Sequence, residues 1–97
     1  MIKLRIDLTT GSIAINPQTE TEYHFLMVVL QASGKEGPRR IEPTEYNQWQ
    51  THKEKTCVVI PKRSNMLIYT NTDYCDKKGI KTVMLKEFLI EQEFVKK

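Results

Sequence analysis

The sequence predicts a small α+β domain: a mostly antiparallel sheet of two β-hairpins, covered by two helices, in the order β-β-α-(α)-β-β-α. Three observations support this prediction: an alternating N-terminal segment, a capped apolar run, and two short strand-like runs separated by a turn. The chain has 97 residues, which is the size of one domain. We therefore expect residues 1–97 to form a single domain.

The first hairpin is predicted from strict alternation of apolar and polar residues at the N-terminus. The apolar positions are Ile2, Leu4, Ile6 and Leu8. Thr10-Gly11 is a turn signal, and a second strand is expected over 12–16. A two-residue loop would place Leu8 opposite Ile13, so that both strands share one apolar face.

A helix is predicted over 20–33. Thr19 and Glu22 match the spacing of a capping box, in which the first residue caps the helix and the acid three residues later reaches back. Gly34 stands where a left-handed residue commonly ends a helix.

A second, short helix is predicted over 44–52 after Pro43. Its large apolar residues are Tyr46 and Trp49, which lie three positions apart and share one helical face. One interpretation is that this pair packs the helix on the sheet. The other is that Trp49 contacts a partner.

The second hairpin is predicted from two apolar runs, 56–60 and 66–70, with a basic turn between them. Because these runs are apolar on both faces, we expect them at the centre of the sheet. The polar stretch 71–79 contains turn-forming residues and is predicted to be a loop.

The last segment, 80–97, has apolar residues on two opposite sides of a helical projection. One side carries Met84, Leu85, Phe88, Leu89 and Val95, and the other carries Val83, Ile90 and Phe94. A single helix cannot bury both sides against one sheet. Either the helix begins later and 80–85 is a strand, or one side contacts a partner.

Composition excludes several classes of protein. The longest apolar run, 25–30, is far too short to span a membrane, and no secretory signal is readable, so we expect a cytoplasmic protein without a membrane partner. Cys57 and Cys75 are predicted to be one core and one surface thiol. No metal or cofactor motif is present, and we expect neither ligand.

No arrangement of residues predicts catalysis. The two histidines stand outside any nucleophile motif, and the four glycines form no phosphate-binding loop. We therefore expect a protein that is not an enzyme.

The first functional hypothesis is a non-catalytic binding module that contacts a protein partner or a second copy of itself. The opposed apolar side of the last segment and the tryptophan supply the predicted interface: Val83, Ile90, Phe94 and Trp49. Small inhibitors and adaptors of phages and mobile elements are often proteins of this kind.

The alternative is a protein that binds nucleic acid or another polyanion. The net charge is +3, and residues 35–81 hold ten basic against six acidic groups. The predicted anion-binding residues are Arg39, Arg40, Lys53, Lys55, Lys62 and Arg63. Tyr46, Trp49 and Tyr69 lie among them in sequence as candidate stacking surfaces.

Overall fold

A four-stranded mixed sheet organises residues 11–62 and 64–92, which are the residues described by the computed structural model. The elements in chain order are β1 (Ile13–Asn16), α1 (Glu20–Ala32), α2 (Trp49–His52), β2 (Thr56–Ile60), β3 (Ile68–Asn71), α3 (Thr72–Lys78), β4 (Lys81–Met84) and α4 (Leu85–Glu91). The strand order is β3-β2-β1-β4. The predicted α+β class is confirmed, whereas the predicted topology is correct only in part.

β1 lies inside the sheet, antiparallel to β2 and parallel to β4. Ile13 pairs with Ile60 on one side and with Lys81 on the other. The strand predicted over 2–8 lies outside the described residues. The predicted pairing of Ile13 with Leu8 is wrong, because β2 and β4 take both edges of β1.

The second predicted hairpin is confirmed. β2 and β3 are antiparallel, with Val58 opposite Tyr69. Every residue of β2 is buried, as expected for a central strand. β3 instead lies at an edge of the described sheet, where Ile68 is 44% exposed. The expected central position therefore holds for β2 alone.

α1 begins as predicted and ends one residue earlier, at Ala32. The Thr19 hydroxyl accepts a hydrogen bond from the Glu22 amide at 3.1 Å, which confirms the cap. The Glu22 carboxylate accepts from the Gln18 amide, one residue before the position expected in a capping box. Gly34 has a φ of 87°, the left-handed conformation predicted for it.

The loop predicted over 71–79 is wrong, because most of this stretch is α3. The Asn71 side chain accepts a hydrogen bond from the Tyr74 amide at 2.8 Å and caps the helix. Gly79 ends it with a φ of 68°. Helix caps and turns use the same residue types, so a polar composition alone predicts either structure.

The last segment contains a strand before its helix, so the strand alternative for 80–85 is correct. β4 runs parallel to β1, and α4 follows at once. Val83 is buried on the strand, and Met84 is 39% exposed. The strand holds one residue of each apolar side, Val83 and Met84, and the helix begins only after them, so the two-sided pattern of a single helix does not apply to this segment. Val95 lies outside the described residues.

Helices cover both faces of the sheet. α1 and α4 pack on the face that carries Ile13, Ile15 and Val58. α3 packs on the other face through Cys75, against Cys57 and Val59. Within the ranges 11–62 and 64–92, no helix has the length and apolar character needed to cross a bilayer.

Candidate functional site

The ends of three strands meet at one end of the sheet. Lys81 lies beside Ile13, and Ile13 lies beside Ile60, so β1 and β4 begin where β2 finishes. Lys62 follows β2 after a single proline. Lys62 and Lys81 are therefore brought to the same end, although 18 intervening residues separate them in sequence.

A cavity of about 440 Å³ lies at this end of the sheet. Its lining residues come from the start of β1 and from the connection between α3 and β4: Gly11, Ser12, Lys78, Gly79, Ile80 and Lys81. The Ser12 hydroxyl accepts a hydrogen bond from the Lys62 amide at 3.1 Å. This bond joins the lining of the cavity to the segment that follows β2.

The segment after α1 is held against the connection between β2 and β3. The Glu36 amide donates to the Asn65 carbonyl at 2.8 Å, and the Leu67 amide donates to the Glu36 carbonyl at 2.7 Å. The Lys35 ammonium donates to the Asn65 side chain at 3.4 Å. We define the basic end as the cations that these contacts gather: Lys35, Arg39, Arg40, Lys62, Lys78 and Lys81.

Arg39 and Arg40 occupy a strained loop within the basic end. Their φ angles are 57° and 64°, in the left-handed region that costs a residue with a side chain about 1–2 kcal/mol. The Gly37 amide closes the loop by donating to the Ile41 carbonyl at 2.8 Å. Both arginines are exposed, and in the part of the chain that the structure describes no carboxylate pairs with either guanidinium. Backbone strain of this kind occurs preferentially at functional positions.

The structure separates the six predicted anion-binding residues. Arg39, Arg40 and Lys62 lie in the basic end. Lys53 and Lys55 precede β2 and therefore lie at its opposite end, roughly 16 Å away along a five-residue strand. Arg63 lies outside the described residues.

Asn16 fixes the turn that carries Lys53 and Lys55. Its side-chain amide donates to the carbonyls of Glu54, at 3.0 Å, and Thr56, at 2.7 Å. This turn therefore lies beside the C-terminal end of β1, where α1 also begins with two acidic residues in its first turn. Charges of both signs consequently meet at this end.

Lys35, Lys78 and Lys81 lie within the basic region 35–81 but are not among the six residues predicted from the sequence to bind anions. Lys78 and Lys81 lie far along the chain from Lys62, and they approach it only because β4 pairs parallel with β1. The sequence left open a strand over 80–85. Choosing that alternative and pairing the strand parallel with β1 would have placed Lys78 and Lys81 at the basic end.

The predicted protein-interface residues are mostly inaccessible. Val83 and Trp49 are 7% and 8% exposed and belong to the main core. The Trp49 ring lies 6.2 Å from that of Tyr23, as expected if it packs α2 on the fold. Ile90 is half-buried, and Phe94 lies outside the described residues. Contact of these residues with a partner stays a prediction that the burial does not favour.

The short helix that contains Trp49 covers less of the chain than predicted. α2 spans four residues, and Pro43–Glu45 forms a separate single turn before it. Tyr46 lies between the two and packs against Tyr69, with ring centroids 4.6 Å apart. The two aromatic residues predicted to share a helix face therefore contact different parts of the core.

Both cysteines are buried on the α3 face of the sheet, so the prediction of a surface thiol at position 75 is wrong. Burial, followed by the charge and hydrogen bond of Cys75, raises the pKa of Cys57 to about 12. Burial likewise raises the pKa of Cys75. Because the thiolate is the reactive form, these environments suppress nucleophilic chemistry.

Among residues 11–62 and 64–92, no group of three or more histidine, cysteine or acidic side chains converges as a metal site would require. No family model, curated protein or solved structure matches the chain. The basic end is therefore the feature on which a functional proposal rests.

Proposed function

We propose that the protein is a non-catalytic module that binds nucleic acid through its basic end. The observation that supports this most directly is a pair of exposed arginines in one closed loop, both at positive φ, with no carboxylate partner among residues 11–62 and 64–92. Lys53 at the opposite end also has a positive φ, so it is the pairing of two such cations in one loop, and not strain alone, that singles out the arginines. Retaining a charged side chain at two strained positions costs stability, and contact with an anion offsets that cost.

The distribution of charge supports the same ligand. Six cations from three separate segments share one end of the fold, and backbone hydrogen bonds and strand register hold those segments together. Clustered lysine and arginine side chains attract the phosphates of nucleic acids and release their counterions. The opposite end brings Glu20 and Glu22 near Lys53 and Lys55, whereas the segments of the basic end, 35–41, 62 and 78–81, hold one acid, Glu36, among six cations.

The proposal is tested by measuring the affinity of a short fluorescent DNA duplex at low salt. The double variant Arg39→Gln/Arg40→Gln removes two charges from the basic end. The matched control Lys53→Gln/Lys55→Gln removes two charges from the opposite end. We expect the first to weaken binding by about tenfold or more and the second by less than about threefold. Equal losses, or no binding by the unaltered protein, would contradict the proposal.

A protein partner is the second candidate, with the protein acting as an inhibitor, an adaptor or a homodimer. Phe25 and Val28 favour it, because they lie one turn apart on α1 and are 48% and 55% exposed. If this surface joins two copies, sedimentation should show a dimer that Phe25→Ser/Val28→Ser converts to a monomer. A monomer at high concentration would argue against the homodimer.

A further inference from the structure

An exposed aromatic ring lies beside the cations on the β4 side of the basic end. Tyr74 is in the first turn of α3 and is 40% exposed. The Lys78 ammonium, one helical turn later, lies 5.9 Å from the centroid of the Tyr74 ring. Lys78 and Lys81 also line the cavity. One lysine side chain therefore connects the ring to the cavity.

The aromatic residues predicted to stack bases are less open than Tyr74. Trp49 is 8% exposed and packs beside Tyr23. Tyr46 and Tyr69 are each half-buried, and their ring centroids are 4.6 Å apart. Within residues 11–62 and 64–92, no aromatic ring packs against Tyr74. Its ring is therefore the one at the basic end that is open to a ligand.

The acidic residues of α3 lie away from this ring. At 3.6 residues per turn, Tyr74 and Lys78 are about 40° apart on the helix, whereas Asp76 is about 160° from each. Asp73 shares a side of α3 with Lys77, its neighbour at i+4. The charge on the Tyr74 side of the helix is therefore that of Lys78.

An aromatic ring next to lysines matches the chemistry of an unpaired nucleotide, whose base stacks on the ring while its phosphates contact the ammonium groups. A distance of 5.9 Å is near the outer limit of a cation–π contact, so a base can replace the Lys78 ammonium over the ring. The Ser12 hydroxyl accepts from the Lys62 amide and keeps its own proton to donate to a phosphate oxygen.

The basic end is wider than one nucleotide. Backbone hydrogen bonds join Glu36, at the start of the arginine loop, to Leu67, just before β3. Lys81 begins β4. β3 and β4 are the two edges of the described sheet, three strand spacings or roughly 14 Å apart. A chain of several nucleotides spans this distance, whereas a mononucleotide contacts only one side.

We infer that the basic end binds a single-stranded nucleic acid, with one unpaired base stacked on Tyr74 and with phosphates on Lys78, Lys81 and the arginine loop. This inference rests on the proposed function and names the form of its ligand. A duplex contacts the same cations through its phosphates, but its bases are paired inside and leave the ring unused.

The test compares two labelled strands of about 16 nucleotides that carry the same phosphates: oligothymidylate and an abasic strand. We expect the unaltered protein to bind oligothymidylate about fivefold or more tightly than the abasic strand, which is the lower end of the effect of one aromatic platform. Tyr74→Leu should abolish this difference and bind the abasic strand as before. Tyr74→Phe keeps the ring and should preserve the difference.

Two controls define the site and the length of the ligand. Phe25→Leu removes a ring that is 48% exposed on α1, on the other face of the sheet, and should leave both affinities unchanged. Thymidine monophosphate should compete at least about tenfold more weakly than oligothymidylate, because it cannot use both sides of the basic end at once.

Equal affinity of the unaltered protein for the two strands would overturn the inference without any variant. Unchanged oligothymidylate binding by Tyr74→Leu, with its fold retained by circular dichroism, would also overturn it, as would an equal loss in Phe25→Leu or a mononucleotide that competes as well as the strand. If Arg39→Gln/Arg40→Gln still weakens binding of the abasic strand and the duplex, the proposed function stands and only the ligand form is wrong. If neither strand nor the duplex binds, both proposals fail.

Discussion

The amide of Gly37 and the carbonyl of Ile41 form a 2.8 Å hydrogen bond that closes the loop carrying both arginines of the basic end. A glycine is required for this approach, because a Cβ at position 37 would lie 2.6 Å from the Ile41 carbonyl oxygen. The conformation of the arginine loop therefore depends on one close backbone contact.

The variant Gly37→Ala is expected to be destabilised by about 1–3 kcal/mol, because the methyl group and the carbonyl oxygen cannot both keep their positions. Chemical denaturation measures this change. Gly79→Ala is the matched comparison: its Cβ meets nothing within 4 Å, so only the cost of its positive φ, about 1–2 kcal/mol, applies. A Gly37→Ala protein as stable as the unaltered one would contradict the loop geometry.

Replacing Arg39 with glycine should raise stability and lower affinity together. Glycine adopts a φ of 57° without steric cost, so the free energy of unfolding is expected to rise by about 1 kcal/mol. The loss of the guanidinium should weaken duplex binding. Arg39→Lys keeps the charge and the strain, so its stability should stay near that of the unaltered protein and its affinity should fall less than that of Arg39→Gly. Thermal melts measure the stability of the two variants, and binding assays measure their affinity for the duplex. An Arg39→Gly protein less stable than the unaltered one would refute the claim of strain.

Thr56 is fully buried, and its hydroxyl has no hydrogen-bond partner within the described ranges. An unsatisfied buried hydroxyl destabilises the folded state, so Thr56→Val should raise the free energy of unfolding by about 1 kcal/mol. Thr51→Val, at an exposed position of α2, serves as the control and should change stability little. Urea denaturation measures the change. A Thr56→Val protein less stable than the unaltered one would show that the hydroxyl has a hydrogen-bond partner in solution.

The buried Cys57 thiol makes stability depend on alkaline pH. Its pKa is raised from 9.0 to about 12, chiefly by burial, so the folded state holds the proton more tightly than the unfolded state. Stability from this thiol is complete below about pH 9 and is lost as the pH rises toward 12. Unfolding free energies measured between pH 8 and 11 should therefore fall less steeply for Cys57→Ala. Identical slopes would contradict the shift.

The local parts of the fold were predictable from sequence because their signals lie within a few residues. The cap at Thr19, the left-handed Gly34 and the β2–β3 hairpin each depend on neighbouring positions, and all three are present. The interior position of β1 was missed. Its parallel partner β4 lies more than sixty residues away and shows no period-2 alternation.

The site was predicted only in part for the same reason, because its residues come together through contacts between distant parts of the chain. Arg39, Arg40 and Lys62 were identified from composition, but sequence proximity also grouped Lys53 and Lys55 with them. A strand separates its two flanking turns by its full length, so β2 places these lysines at the opposite end. The strain at Arg39 and Arg40 had no sequence signal, because neither is a residue type that favours positive φ.

The central claim, that the basic end binds nucleic-acid phosphates, is tested most directly by the salt dependence of duplex binding. Each phosphate contact contributes about 0.9 to the slope of log K against log salt concentration. We expect Arg39→Gln/Arg40→Gln to reduce the magnitude of this slope by about 1.8, and Lys53→Gln/Lys55→Gln to leave it unchanged. An unchanged slope in the arginine variant, or an equal reduction in both, would contradict the account.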